Sequence, residues 1–295
     1  MGWFGKNEKA AIGIGAHGVR LLVGRGNGTI DVLYAGRAPL PEGAVRIGLR
    51  GPIFDDRAAV SAALRGLVEN ARAEGHLKRT PDLVALLAAD GTFKMASAPI
   101  EGDSPKRADG DRMSRWILRD LLPVDESEIR ADWTLRPAGE EEAANAHLLS
   151  LGGVDAVLSE YESVSEELGW TIGRLLPWSF AAGAAFQTGS DENSTQAPDR
   201  TLVFCDADGA LGALLESGGR PALHRSWRSA ISGDLLGAEL PALRRYVNDR
   251  LETSIDAICL CGEADWVAAA SGSMESDTVL HTLTPEAALR AALED

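Results

Sequence analysis

Two stretches of this sequence are punctuated alike, and that repetition limits the possible folds more than any single motif does. Ala10 to Ile14 is an apolar run of strand length, followed by the tight turn Gly15-Ala16-His17-Gly18. Val19 to Gly24 forms a second such run, Gly26-Asn27-Gly28 a hairpin turn, and Thr29 to Tyr34 a third strand. The pattern returns with Leu202 to Cys205, Asp206-Ala207-Asp208-Gly209, Ala210 to Leu215 and Ser217-Gly218-Gly219. A shift of 191 positions lays Gly18 on Gly209 and Asn27-Gly28 on Gly218-Gly219. One unit opens the chain. The other follows Thr188 to Asp199, a polar stretch without apolar periodicity that reads as a linker. A duplicated two-lobed α/β protein has this layout, and 295 residues suffice for two cores.

Between the repeats, Asp55 to Gly75 carries Val60, Leu64, Leu67, Val68 and Ala71 at helical steps, with Asp55 or Asp56 to cap it and Gly75 to end it. Leu83 to Ala89 is a continuous apolar run expected to be a strand covered on both faces. From Thr92 the texture changes. Phe93 to Ile100, a helix over Arg112 to Leu122, strands at Ile129 to Leu135 and His147 to Leu151, and a helix from Val154 to Leu168 make a small α/β subdomain. Trp170 to Leu176 is expected as a strand and Trp178 to Gln187 as a helix. Trp116, Trp133, Trp170, Trp178, Trp227 and Trp266 are expected in cores.

The net charge of −15 argues against a phosphate-neutralising, nucleic-acid-binding role and equally against direct docking to anionic lipid. No apolar run approaches the roughly 18 residues of a spanning helix, and the start of the chain has no signal-peptide core, so the expected location is the cytoplasm. The five histidines are scattered without ligand spacing, and Cys205, Cys259 and Cys261 lie in apolar runs that suit buried, reduced thiols. The acidic run Glu140-Glu141-Glu142 reads as a solvated face, and no G-x-S-x-G, P-loop or H-E-x-x-H motif is present.

In two-lobed nucleotide-binding proteins each lobe brings a hairpin turn to the phosphates. Glycine permits close backbone approach and aspartates at the strand ends hold magnesium. The sequence resembles the PilM family of actin-like proteins of type IV pilus assembly. Gly5 to Gly15 is similar to the family's opening, Leu83 to Pro99 to its strand pair, and Arg115 to Pro123 to its helix with a Leu-Pro stop. Tyr161 to Leu176 and Thr201 to Leu215 resemble its helix–Gly–strand step and second hairpin.

The resemblance implies a two-lobed actin-like, ribonuclease H-like α/β fold. The first lobe would be 1–91 and 170–198, the inserted subdomain 92–169, and a shortened second lobe 199–295. The family's nucleotide positions fall on Gly13, Gly15, Arg20, Asp206, Asp208, Gly209, Gly233 and Gly262, and they depart from its pattern. Gly13 stands where the family has Asp, Ala16-His17-Gly18 replaces a hydroxyl run, Arg20 replaces Lys, and Glu263 follows the one surviving glycine of the adenosine turn.

The implied function is a non-catalytic adaptor of a type IV pilus machine, with no catalytic residue, no metal and no cofactor. Its implied partners are the N-terminal peptide of a single-span inner-membrane PilN-like protein, received between first lobe and inserted subdomain, and other pilus components. It would be cytoplasmic and peripheral at the inner membrane, without inserting into it. Two alternatives stand beside this: an ATP-binding or ATP-hydrolysing relative or small kinase, and the cytoplasmic component of a type II secretion system.

Overall fold

The computed structural model describes residues 7–100, 104–136, 146–190, 198–206, 208–209, 211–227, 232–251, 254–274 and 279–294. The start of the chain through residue 6, the acidic run at 140–142 and most of the linker lie outside them.

The repeat read from the sequence becomes two five-stranded sheets of the same order. In the first, β1 (Glu8–Ile14), β2 (Gly18–Arg25) and β3 (Asp31–Pro39) form an antiparallel meander, and β4 (Leu83–Ala88) and β8 (Arg174–Pro177) extend it in parallel beside β1. In the second, β9 (Arg200–Asp206), β10 (Leu211–Ser217) and β11 (Arg220–Ser226) repeat the meander, with β12 (Ala257–Cys261) and β13 (Val279–Leu283) parallel beside β9. Parallel neighbours need crossovers, and helices supply them: α1 (Arg57–Ala73) before β4, α5 (Gly233–Leu251) before β12, and α6 (Ala264–Gly272) before β13. Ile14 pairs with Val19 and Asp206 with Leu211, so the two first turns correspond at a shift of 192 rather than 191, and His17 rather than Gly18 matches Gly209.

A third sheet, β5 (Lys94–Ile100), β7 (Ala146–Val154) and β6 (Ile129–Arg136), is inserted between β4 and β8 and carries α2 (Arg107–Arg119) on one face. The helix α2 begins five residues before the expected start. Its first turn has little apolar periodicity because Gly110 makes the contact there, lying so close to the Trp133 ring that a Cβ would overlap it. The strand expected over Trp170 to Leu176 starts only at Arg174. Trp170 lies before it, buried in the first core.

Three apolar layers hold the molecule together. The outer face of the first sheet packs on α1 and on α3 (Asp155–Glu166), and that core continues through Leu118, Leu122 and Ile129 beneath the inserted sheet. The inner faces of both sheets share one core with α4 (Trp178–Ser190) and α7 (Pro285–Ala291), into which Ala11, Leu22, Leu87, Val203 and Leu214 all point. Leu236, Leu240, Leu243 and Val247 of α5 cover the outer face of the second sheet. Cys205, Cys259 and Cys261 are free and buried in the middle layer. Hydrogen bonding to Cys261 and burial push the Cys205 thiol well above its usual pKa. The expectation that all six tryptophans are core fails for Trp116, which is 57% exposed on the outer side of α2.

Candidate functional site

The first turn of each meander reaches into the space between the sheets, and there they touch. The β1–β2 turn closes with Gly15 N–H donating to the Gly18 carbonyl at 3.0 Å, and His17 N–H donates across to the Asp208 carbonyl at 2.9 Å. Asp208 is the one non-glycine residue with positive φ among those described, at 50°, a conformation that aspartate tolerates better than most residues. Gly18 leaves room for the Asp208 carboxylate, since a Cβ there would stand 3.1 Å from its Cγ. Gly209, with φ at 91°, carries the His17 ring against its backbone.

Four further charges converge on this contact. Arg20 projects from β2 and is 3% exposed. Its Nε and Nη2 donate to the two Asp208 oxygens at 2.8 and 3.3 Å, its Nη1 to Glu286 Oε1 at 3.0 Å, and its Nη2 also to Glu263. Arg37 from β3 donates to Asp208 Oδ1 at 2.8 Å and approaches Glu263 at 3.9 Å. A guanidinium presents five donors in a planar fork, so Arg20 makes four hydrogen bonds to three carboxylates, one more than the three donors of a lysine allow. Burial alone would lower the Arg20 pKa, but hydrogen bonds and charge from Asp208 and Glu263 outweigh it and hold the group above its ordinary value. Asp206, at the end of β9, is raised to about 6. Burial is the main cause and the negative charges of Asp208 and Glu263 add to it, against a backbone hydrogen bond from Gly209 and the nearby His17.

Gly13 is a packing position. A Cβ there would overlap the ring of Trp178, the fully buried first residue of α4, so an aspartate could not stand at residue 13 without displacing that ring. Gly262 donates its N–H to the Leu283 carbonyl at 3.2 Å and lies under the Trp266 ring. Gly233 stands apart from the cluster, in the first turn of α5, where a Cβ would meet the Trp266 carbonyl and Ala270 nitrogen of α6. Gly15, Arg20, Asp206, Asp208 and Gly209 thus lie in or beside this contact, Gly13 packs on Trp178 and Leu289, and Gly262 and Gly233 both pack on Trp266. A magnesium-bound phosphate chain does not fit these residues. The space an aspartate side chain would need at residue 13, where the resemblance puts the metal ligand, is taken by Trp178, and Arg20 already donates to three carboxylates.

At the other side of the seam, Asp90 is wholly buried. It accepts from Ser179 N–H at 3.2 Å, from Ser179 Oγ, and pairs with His224 Nε2 at 2.9 Å. Serine and histidine both bind the same carboxylate instead of each other, so the trio lacks the nucleophile–base contact of an acyl-transfer triad. It ties the end of β4 to α4 and β11. The sequence reading missed Arg37, Glu286, Asp90, Ser179 and His224. None lies in a glycine-rich turn, and only Arg37, a charge on the strand beside Arg20, and the carboxylate in the first turn of α7 offered a signal.

Two like-ordered sheets, with a hairpin turn from each meeting between them, define a two-lobed α/β protein of the actin-like class. Among solved structures, the protein is similar to a chain of the PilM–PilN type IV pilus biogenesis complex. The TM-score is 0.70 at 15% identity, over 95% of this chain and 89% of that one. The cytoplasmic domain of EpsL, an inner-membrane component of the type II secretion system of Vibrio cholerae, matches with a TM-score of 0.53 at 12% identity, over 97% of this chain and 94% of that one. A Bacteroides thetaiotaomicron protein described as having an actin-like ATPase fold and unknown function gives 0.50 at 13% identity, over 96% and 94%. The resemblance to PilM-like proteins is borne out in the fold. No protein-family model matches the sequence, and no curated protein matches it.

Proposed function

We propose that the chain is a non-catalytic adaptor of a type IV pilus machine, held on the cytoplasmic side of the inner membrane by a single-span, PilN-like partner. One observation carries the reading: the fold is shared with a chain of the PilM–PilN complex, while the cleft between the hairpins is filled by the protein's own side chains. No helix among the described residues is long and apolar enough to cross a membrane, which suits an anchor lent by a partner. In this reading the partner's segment binds beside the first sheet, where the inserted sheet adjoins it. The segment before α1 meets the inserted part there: Arg50 Nη2 donates to the Pro123 carbonyl at 3.2 Å and Ile53 N–H donates to Glu160 at 2.8 Å. An extended N-terminal peptide of the partner lies there, with apolar side chains in pockets and backbone groups on a strand edge.

Co-expression with a single-span protein encoded beside this chain, followed by purification from membranes, tests the reading. Arg50→Glu should reduce recovery of the partner by roughly tenfold, since a rim charge changes association more than folding. Tyr246→Ala on the far helix α5 should leave recovery unchanged. Equal recovery with both variants would place the partner elsewhere. The likeness to the EpsL cytoplasmic domain supports a second reading, the corresponding component of a type II secretion machine, and the identity of the recovered partner separates the two.

A further inference from the structure

Arg20 is reached by three carboxylates from three separate segments: Asp208 in the β9–β10 turn, Glu263 at the N-cap of α6, and Glu286 in the first turn of α7. The groups lie 188, 243 and 266 residues from it in sequence. Arg37 adds a second cation on Asp208 and Glu263. A fork of donors facing several oxyanions at hydrogen-bond distance is the arrangement by which arginine holds a phosphate, and here every oxyanion belongs to the chain. Glu263 and Glu286 also open helices, where a negative charge is favoured by the helix dipole.

We propose that this cluster is an anion seat occupied from within: carboxylates of the second half of the chain take the place of a phosphate chain and hold the two hairpins together without a ligand. The inference rests on the non-catalytic reading and deepens it by giving the cleft an occupant. Asp208 and Arg20 form the buried centre, 2% and 4% exposed in their side chains. Glu263 and Glu286 form the outer part, 52% and 44% exposed. The outer pair therefore decides whether a soluble anion can reach Arg20. Both carboxylates repel it and both consume donors it would need.

The test is a gain of binding. Tripolyphosphate is titrated calorimetrically into the full chain and into Glu263→Gln/Glu286→Gln, whose amides keep the side-chain shape while removing two negative charges. The variant should bind the anion at least about tenfold more tightly than the unaltered protein, because like charge at a binding site weakens association strongly. Adding Arg20→Met to the variant should abolish the gain. If the double variant does not fold, Glu263→Gln alone, at the more exposed position, carries the same expectation with a smaller gain. A folded variant that binds tripolyphosphate no better than the unaltered protein overturns the proposal, as does a gain that survives Arg20→Met. Magnesium-dependent ATP hydrolysis is measured on the same samples. Turnover by the unaltered protein that disappears in Asp206→Ala sinks the non-catalytic reading whatever the anion titrations give. Absent turnover with no gain of binding sinks the occupied seat alone.

Discussion

Asp206 and Asp208 are two residues apart and have opposite circumstances. Asp208 is held by two arginines, whereas Asp206 is half-buried beside negative charge and raised to about 6. The sign of the pH effect follows. Between the ordinary carboxylate value, 3.8, and about 6, the folded protein keeps a proton on Asp206 that the unfolded chain has lost. The stabilisation from this group is therefore complete below the unfolded value and disappears as the pH rises through the folded one. Asp206→Asn removes the group and its proton. Relative to the unaltered protein the variant should gain about 2–3 kcal/mol of stability between pH 4 and pH 7, since each tenfold difference in proton affinity between folded and unfolded chain corresponds to about 1.4 kcal/mol. Urea unfolding at pH 4.5 and pH 7.5 measures the difference, and an equal effect at both would show that Asp206 does not titrate in this range. The sequence displayed both aspartates as turn residues. It could not distinguish them, because the distinction depends on Arg20 and Arg37, which reach the turn from another sheet.

At the scale of elements, local chemistry was legible wherever the contact stayed within the element. Asp56 caps α1 by accepting from Ala59 N–H at 2.9 Å, and Gly75 follows that helix with φ at 79°, as the sequence suggested; Gly169 follows α3 likewise with φ at 73°. Gly233 shows where that legibility ends. Its place in a glycine-bearing motif suggested a ligand contact, but it is where α5 crosses the backbone of α6. Gly237, one turn later, faces Ser273 of the same neighbouring segment. On helix propensity alone, Gly233→Ala would stabilise α5 by less than about 1 kcal/mol, the value for a helix interior, because residue 233 is the first of the helix. The neighbouring atoms are backbone and cannot move aside cheaply, so the substitution should instead destabilise the protein by about 1–3 kcal/mol. Chemical denaturation decides between the signs, and a stabilised variant would mean that the helices separate without cost.

For the whole molecule, the middle layer is the governing feature. Trp178 is fully buried between β1 and α7, and the same cluster contains residues of β1, β2 and β4 from one sheet and β9, β10 and β12 from the other. Neither sheet can lose its inner cover without exposing the other. Heating should therefore give a single transition, coincident by tryptophan fluorescence and by far-ultraviolet circular dichroism, although chains of this length commonly unfold in parts. Two resolved transitions would show that the sheets are independently stable.

The amino-acid sequence by itself determined the repeated meander, the helix limits set by capping residues and glycines, and the net charge of −15 that opposes phosphate binding. Each of these is written in neighbouring residues, because turns, caps and periodicity act over a few positions of chain. Only the tertiary structure decided that Trp178 fills the space beside Gly13, that the turns correspond at 192 positions, and that Glu263 and Glu286 join Asp208 around Arg20. Those contacts join residues 165 or more positions apart. A charge or ring that finds its partner across such a distance leaves no spacing for a sequence to display; its meaning exists only once both sheets have folded and closed on the same core.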